Sequence, residues 1–482
     1  MFNMLFTIIF PILCGFLMPL LKKLSNRKIK MALVISCQAI ITLFGVLTVM
    51  GETVTTKSFV FADNLALGFT SDLFAKLFCV IVTVAWLLVT IYGTVYMKHE
   101  KSEESFFLFS FLTEGAMLGA AFSNNLISMY VFYELVTICS MPLVLHSLSK
   151  ESVSAAKKYL YYSVAGAFLA LFGIFVIGAN TDSLNFVMGG FVAEASPLVL
   201  TAAFVMCLGF GAKAGLFPLH GWLPTAHPVA PAPASALLSA IIAKAGVIAI
   251  IRTLFFAVGS DKLAGTWVQT ALLSLALLTV LMGSMMAYRE KILKKRLAFS
   301  TVSQISYVFC GLFLFTEEGV DGALWQIIAH AVVKVGLFLC AGAVIFLYGK
   351  TKVDELNGIG KKMPVTFVCF TILSLSLIGI PPTAGFYSKW ELAIASLNNS
   401  GIGAFAYIIP VVLLASALLT AGYLLEITIK AFFRTEDSET KTVAESKIMS
   451  FVLIVLSAIA LLGGVFSTQV GEIISEIAKS IL

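Results

Sequence analysis

The sequence predicts an all-α, polytopic membrane protein of about fourteen helices, and three observations carry that expectation. Hydrophobic residues make up 59% of the 482 and charged residues only 12%, where soluble domains carry about 25% charged. Apolar runs of about 20 residues, the length that spans a bilayer as a helix, recur along the whole chain. When the connections between runs are numbered alternately, the basic residues fall almost wholly on one side. No connection is long enough to hold a soluble domain, so 1–482 reads as a single transmembrane domain.

The first run, roughly 4–21, is apolar from Met1 onward, with neither a basic start nor a small-residue cleavage site, and is expected to be a retained span. Runs at roughly 31–50 and 73–96 follow, the second with Lys76 near its outer end, where a long side chain can reach the interface. The fourth, roughly 105–122, carries Glu114, and the fifth, roughly 125–145, carries Glu134 near mid-depth. Further spans are expected at roughly 159–178, 197–217, 235–256, 266–288, 298–315, 322–348, 365–397, 405–433 and 448–468.

Charge placement tests this order. Lys57, Arg252, Lys262 and Lys479 are the only basic residues assigned to connections on one side, while the other collects clusters such as Lys22–Lys23, Lys157–Lys158, Lys294–Arg296, Lys361–Lys362 and Lys441. Cytoplasmic connections hold the Lys and Arg excess, so both termini are expected on the non-cytoplasmic side of a prokaryotic inner (plasma) membrane. These clusters are topology signals and call for no nucleic-acid partner. The eight cysteines are scattered singly through apolar runs and read as small buried hydrophobes.

Two runs are interrupted. GFGAKAGLFPLHGWLPTAHPVAPAPAS around the seventh and SLIGIPPTAGFYSKWELAIA around the twelfth each combine Gly and Pro with a lysine, Lys213 and Lys389. Proline removes a helical hydrogen bond, and the freed backbone is tolerated at membrane depth only inside protein or against a water-filled cavity. Paired interruptions in two halves point to inverted repeats with a site between them. The repeats are expected at 105–256 and 266–433, five helices each, with Lys389 holding in the second half the place Lys213 holds in the first.

Ionisable groups at bilayer depth are costly, roughly 2.5–3.5 kcal/mol each on insertion scales, so their default reading is functional. Glu134 must be protonated or paired, either as a switch or as a static ion pair. A lysine as deep as Lys213 keeps its proton while a carboxylate stays close, so withdrawal of Glu134 would release it. Lys244 follows after one hairpin-like connection, and two such charges favour a relay over a static bridge. His330 and Lys334, spaced i, i+4, share a helix face, and an imidazole titrates near neutral pH. Lys389 is the expected terminal exchange site. His220 and His227 flank Trp222 without a third ligand, so they suit the lining of a water path better than a metal. Glu114 and Glu426 are expected to pair with charges that the sequence does not identify.

The runs VFYELVTICSMPLVL, AAKKYLYYSVAGAFLALFG, GAKAGLFPLHGWLPTAHPVAPAPASALLSA, RLAFSTVSQISYV, HAVVKVGLFLCAG and GIPPTAGFYSKWEL resemble the antiporter-like membrane subunits. That family is shared by respiratory complex I, membrane-bound hydrogenases and multi-subunit Mrp-type cation/proton antiporters. The resemblance is strongest from about 105 to 430, and it implies the shorter, fourteen-helix type without a long lateral helix. It also implies a proton-translocating subunit with a hydrated polar axis. Glu134 and Lys213 would pair, Lys244 would be central, His330 and Lys334 would relay in the second half, and Lys389 would end the series. No dinucleotide, cluster-cysteine or haem signature accompanies these residues, so no cofactor is expected in this chain. Redox chemistry would belong to other membrane subunits or to peripheral iron–sulfur subunits. A subunit of a Na⁺/H⁺ antiporter, a membrane subunit energising inorganic-carbon uptake and a static structural anchor are the alternatives.

Overall fold

The computed structural model describes residues 1–62, 65–435 and 443–482, so Lys441 lies outside the described residues. Helices α1 (Phe2–Leu17) and α2 (Arg27–Met50) lead to a hairpin of β1 (Thr55–Ala62) and β2 (Leu65–Thr70), which pair antiparallel with Thr55 opposite Thr70. Helices α3 (Leu73–Tyr96), α4 (Glu103–Phe122), α5 (Leu126–Leu145) and α6 (Lys150–Gly178) follow. Helix α7 is broken into Pro197–Ala214 and Leu223–Val229, and α8 runs through Ala232–Val258. Then come α9 (Trp267–Arg289), α10 (Leu293–Leu312) and α11 (Glu317–Tyr348). Helix α12 is broken into Pro364–Ile378 and Ala384–Asn398, and α13 (Phe405–Phe433), α14 (Lys447–Val465) and α15 (Ser467–Lys479) complete the order.

Side-chain caps set several starts. Asn26, Asp72, Asn125, Ser149, Ser196 and Thr316 each accept from a backbone N–H in the first turn of α2, α3, α5, α6, α7 and α11. Twelve helices among the described residues are long and apolar enough to cross a membrane. Two expected spans fall outside that set for physical reasons. Helix α10 opens on Leu293-Lys-Lys-Arg and buries a polar series, Ser300, Thr301, Ser303, Gln304 and Ser306, while α12 is cut into two short pieces.

Helices α8 and α11 form the centre. Every residue in the apolar window of α8 is buried, and α11 packs against α3, α8, α10, α12, α14 and α15. Ion pairs tie helix ends together on the face where the basic connections gather. Arg27–Glu103 at 2.8 Å and Lys30–Glu104 at 3.0 Å join the starts of α2 and α4, and Lys430–Asp354 at 2.5 Å ties the end of α13 to the connection after α11.

Three basic residues assigned to connections are instead buried within helices. Arg252 lies in a π-helical stretch of α8, fully buried, bonded to both oxygens of Asp72 at 2.7 and 3.1 Å and ringed by Phe74, Phe186 and Phe256. Lys294 and Arg296 sit in the first turn of α10. Lys294 donates to the Ala230 carbonyl at 2.5 Å, and Arg296 donates to Glu426 at 2.7 Å. Long basic side chains at helix ends bury their stems when a carbonyl or carboxylate meets the head, which hydropathy does not register.

Candidate functional site

Both interruptions start alike. The first halves of α7 and α12 end on Gly215 and Gly379, both left-handed, at φ 84° and 96°. The chain then passes through cis Phe217–Pro218 and Pro381–Pro382 peptides. A methyl group on Gly215 would meet Leu223 Cδ1 at 2.4 Å, and one on Gly379 would meet Lys389 Cδ at 2.9 Å. Trp222 repairs the first break by donating to the Ala212 carbonyl at 2.8 Å.

The lysines sit differently about those breaks, contrary to the expected equivalence. Lys213 is in the last turn before its break, and Lys389 is in the second turn after its own. Lys213 is fully buried and reaches α5, donating to the Tyr133 carbonyl at 2.8 Å and Thr137 Oγ1 at 2.5 Å, with its ammonium 4.0 Å from the Tyr133 ring centroid. These contacts bracket Glu134 in sequence. The carboxylate itself is partly exposed, and its Oε1 is buried without a protein partner. Lys213 is thus held one residue and one turn from Glu134, and no ion pair within 4.0 Å joins them.

Lys244 follows a π-helical turn, Leu238–Ile242, and such turns recur at functional positions. Its ammonium donates back to the Ala240 carbonyl and lies 3.0 Å from His330 Nδ1, joining α8 to α11. His330 and Lys334 share the expected face but engage different helices. Lys334 donates to Ser300 Oγ at 2.7 Å and to the Leu297 carbonyl at 3.1 Å on α10. Ser300 in turn receives the Tyr423 hydroxyl of α13 at 2.7 Å. Lys244, His330 and Lys334 are all at most 1% exposed.

Lys389 donates to the Leu377 carbonyl across its own break, and its ammonium lies 5.5 Å from the Tyr307 ring centroid. It borders an open cavity of about 200 Å³ with Phe386, Trp390 and Pro410. Sequence reasoning passed over the link toward it. Gln326, one turn before His330, donates to Gln304 Oε1 at 2.9 Å and accepts from Ser388 at 2.6 Å. Ser388 adjoins Lys389. The i, i+4 spacings Ser300–Gln304 and Gln326–His330 were the available signal.

The secondary residues divide. His227 is fully buried, stacked 4.8 Å from Phe338, with neither ring nitrogen bonded. His220 is half-buried at the break against Phe217. Among the described residues no group of three or more His, Cys, Asp or Glu side chains gathers as a metal site would require. Glu114 accepts from Gln38 Nε2 at 2.7 Å, Glu426 pairs with Arg296 and Lys430, and Lys76 donates to the Gly51 carbonyl at 2.5 Å.

Residues 123–414 match the family model described as NADH:quinone oxidoreductase/Mrp antiporter, TM. The chain is 34% identical over 360 residues to NADH-quinone oxidoreductase subunit N of Desulforudis audaxviator, covering 74% of this chain and 70% of that one. It is 30% identical over 396 residues to a Na⁺/H⁺ antiporter subunit of Alkalihalophilus pseudofirmus, covering 81% and 78%. Its fold matches a chain in the structure of the Mrp complex from Dietzia sp. DQ12-45-1b with a TM-score of 0.88 at 22% identity, covering 99% and 97%.

Proposed function

This chain belongs to the NADH:quinone oxidoreductase/Mrp antiporter transmembrane family, and from that premise we propose that it is the proton-translocating membrane subunit of a larger ion-pumping complex. The observation that carries the reading is the 3.0 Å contact between Lys244 and His330, which joins the two halves at the centre of the bundle. One proton can sit on this pair in two ways. An ammonium on Lys244 donates to Nδ1, or an imidazolium donates to the neutral amine. Either state leaves His330 Nε2 for exchange with Lys334 or with water beside Gln326.

Protons would be taken up from the cytoplasm through the first half, past Glu134 and Lys213. They would cross at Lys244 and His330 and leave by Lys334 and Lys389. Helices 4 to 8 and 9 to 13 would be the inverted repeats, a reading supported by the matching glycine-ended breaks of α7 and α12. The clusters of Lys and Arg favour a plasma-membrane orientation with both termini away from the cytoplasm. Because the relatives include subunits of a quinone oxidoreductase and of a Na⁺/H⁺ antiporter, the driving force would come from partner subunits, as redox chemistry or as an opposing ion gradient.

The test is purification of the complex from its host, identification of the co-purifying subunits, and reconstitution into vesicles with a pH-sensitive dye. Redox driving requires electron-transfer subunits and substrate-dependent acidification, whereas a sodium-dependent signal with only small membrane partners selects the antiporter. Proton movement unchanged in Lys244→Leu would sink the axis.

A further inference from the structure

Glu114 and Gln38 lie apart from the axis. Glu114 is on α4 and Gln38 on α2, and neither has any exposed surface. Gln38 Nε2 donates to Glu114 Oε1 at 2.7 Å, which leaves one buried oxygen without a partner on each side chain, Gln38 Oε1 and Glu114 Oε2. Among the described residues no cation compensates the carboxyl. The titratable side chains that interact with it are the thiols of Cys14 on α1 and Cys79 on α3, and Cys37 on α2 interacts with Cys14. Neither Glu134 of α5 nor Lys244 of α8 bonds to it, and the nearby hydroxyls of Thr42 and Thr83 donate to backbone carbonyls. A buried carboxylate with one donor and no counter-charge is strongly unfavourable.

We propose that Glu114 is a second proton-binding site, off the axis, held as a neutral acid whose Oε2–H donates to Gln38 Oε1 and closes a two-bond ring with the amide. A single proton satisfies both unpartnered oxygens at once. The ring joins α2 to α4 at depth without a net charge, whereas Arg27–Glu103 and Lys30–Glu104 join the same helices at their ends with charges. Its side-chain partner is on α2, whereas the Lys213 contacts are on α5. The proton is therefore stored and does not enter the relay, and Glu114 presents no charge at depth to compete with Glu134.

Infrared spectroscopy of the purified complex tests this. The wild type should show a carboxylic acid C=O band that Glu114→Gln removes, that shifts only slowly in D₂O, and that is unmoved by sodium or by neutral-to-alkaline pH. Glu114→Gln, which can keep both hydrogen bonds, should transport within twofold of wild type. Should that variant fail to assemble, Gln38→Leu retains the acid and should move the same band to higher wavenumber. A spectrum unchanged by either substitution overturns the proposal. So does a band lost on adding sodium, or an assembled Glu114→Gln complex that no longer transports. The axis reading survives any of these results, because its own residues are untouched.

Discussion

The two broken helices open with the same device and use it for different ends. Helix α7 places Lys213 ahead of its break and extends it to α5, so that the ammonium's surroundings change whenever α5 moves. Helix α12 places Lys389 beyond its break and turns it back onto the Leu377 carbonyl, one of the acceptors that the interruption leaves without a helical donor. Lys213 is sealed from solvent, while Lys389 borders an open cavity. On the proposed reading, the first lysine would sense another helix and the second would exchange its proton at an edge. Symmetry of sequence thus hides an asymmetry of placement.

The largest effect should come from removing the sensor. Lys213→Ala and Glu134→Ala should each cut coupled ion transport by about 100-fold or more, the low end of what a positioned proton-transfer group contributes, with the assembled complex intact by native gel. Wild-type transport in either variant would break the comparison at its root. Lys389→Ala should cost less, about tenfold, a change of about 1.4 kcal/mol in the barrier, because water in the open cavity can substitute for an exchange group. Equal losses for Lys213 and Lys389 would show that the two breaks do the same work.

Glycine substitutions sharpen the contrast further. Gly215→Ala should mainly lower stability, by more than about 1 kcal/mol, since it combines a left-handed backbone with a clash against Leu223. Gly379→Ala carries similar backbone strain but presses on Lys389 itself, so transport should fall out of proportion to the loss of thermal stability. Parallel measurements of unfolding and transport on both variants decide the matter.

The sequence made the spans legible because apolar length is the chief demand a bilayer imposes, and it made the buried ionisable residues legible because charges at depth are rare enough to stand out. Lys213, Lys244, His330, Lys334 and Lys389 lie on a series of helices in which α7 packs on α8, α8 on α11 and α11 on α12. What stayed hidden was whatever hydropathy cannot weigh. Arg252 was assigned to a connection although it is buried, because its cost is met by Asp72, Phe74 and Phe186 from distant parts of the chain and by Phe256 one turn on. Gln304, Gln326 and Ser388 carry no charge and so drew no notice, though they form a hydrogen-bonded link from α10 through α11 to the second half of α12. The β-hairpin escaped because strands of eight and six residues between spans leave no mark on a scale tuned to windows of about 20 residues. That Lys213 bonds to Tyr133 and Thr137, the neighbours of Glu134 on α5, could not be read, since spacing along two helices fixes neither their rotation nor their rotamers.

The smallest expected effect lies at the membrane edge, where α13 meets the connection after α11. Asp354 accepts from Lys430 at 2.5 Å, and Lys430 also pairs with Glu426 at 2.8 Å. The Lys430 hydrogen bond holds the Asp354 carboxyl below its ordinary range. The Asp354 side chain is 59% exposed, so water and salt screen the pair and its worth is about 0–1 kcal/mol. A depressed folded value means that the stabilisation is fully present above the unfolded carboxylate value, about 3.9, and is lost as pH falls through the folded value. Asp354→Asn should therefore lower the thermal midpoint slightly at neutral pH, with the difference shrinking once pH drops below about 4. Transport should stay at the wild-type level, since neither broken helix is touched. A transport defect in Asp354→Asn would mean that this edge network reaches α12, and the separate tasks assigned to the two lysines would then need a shared control.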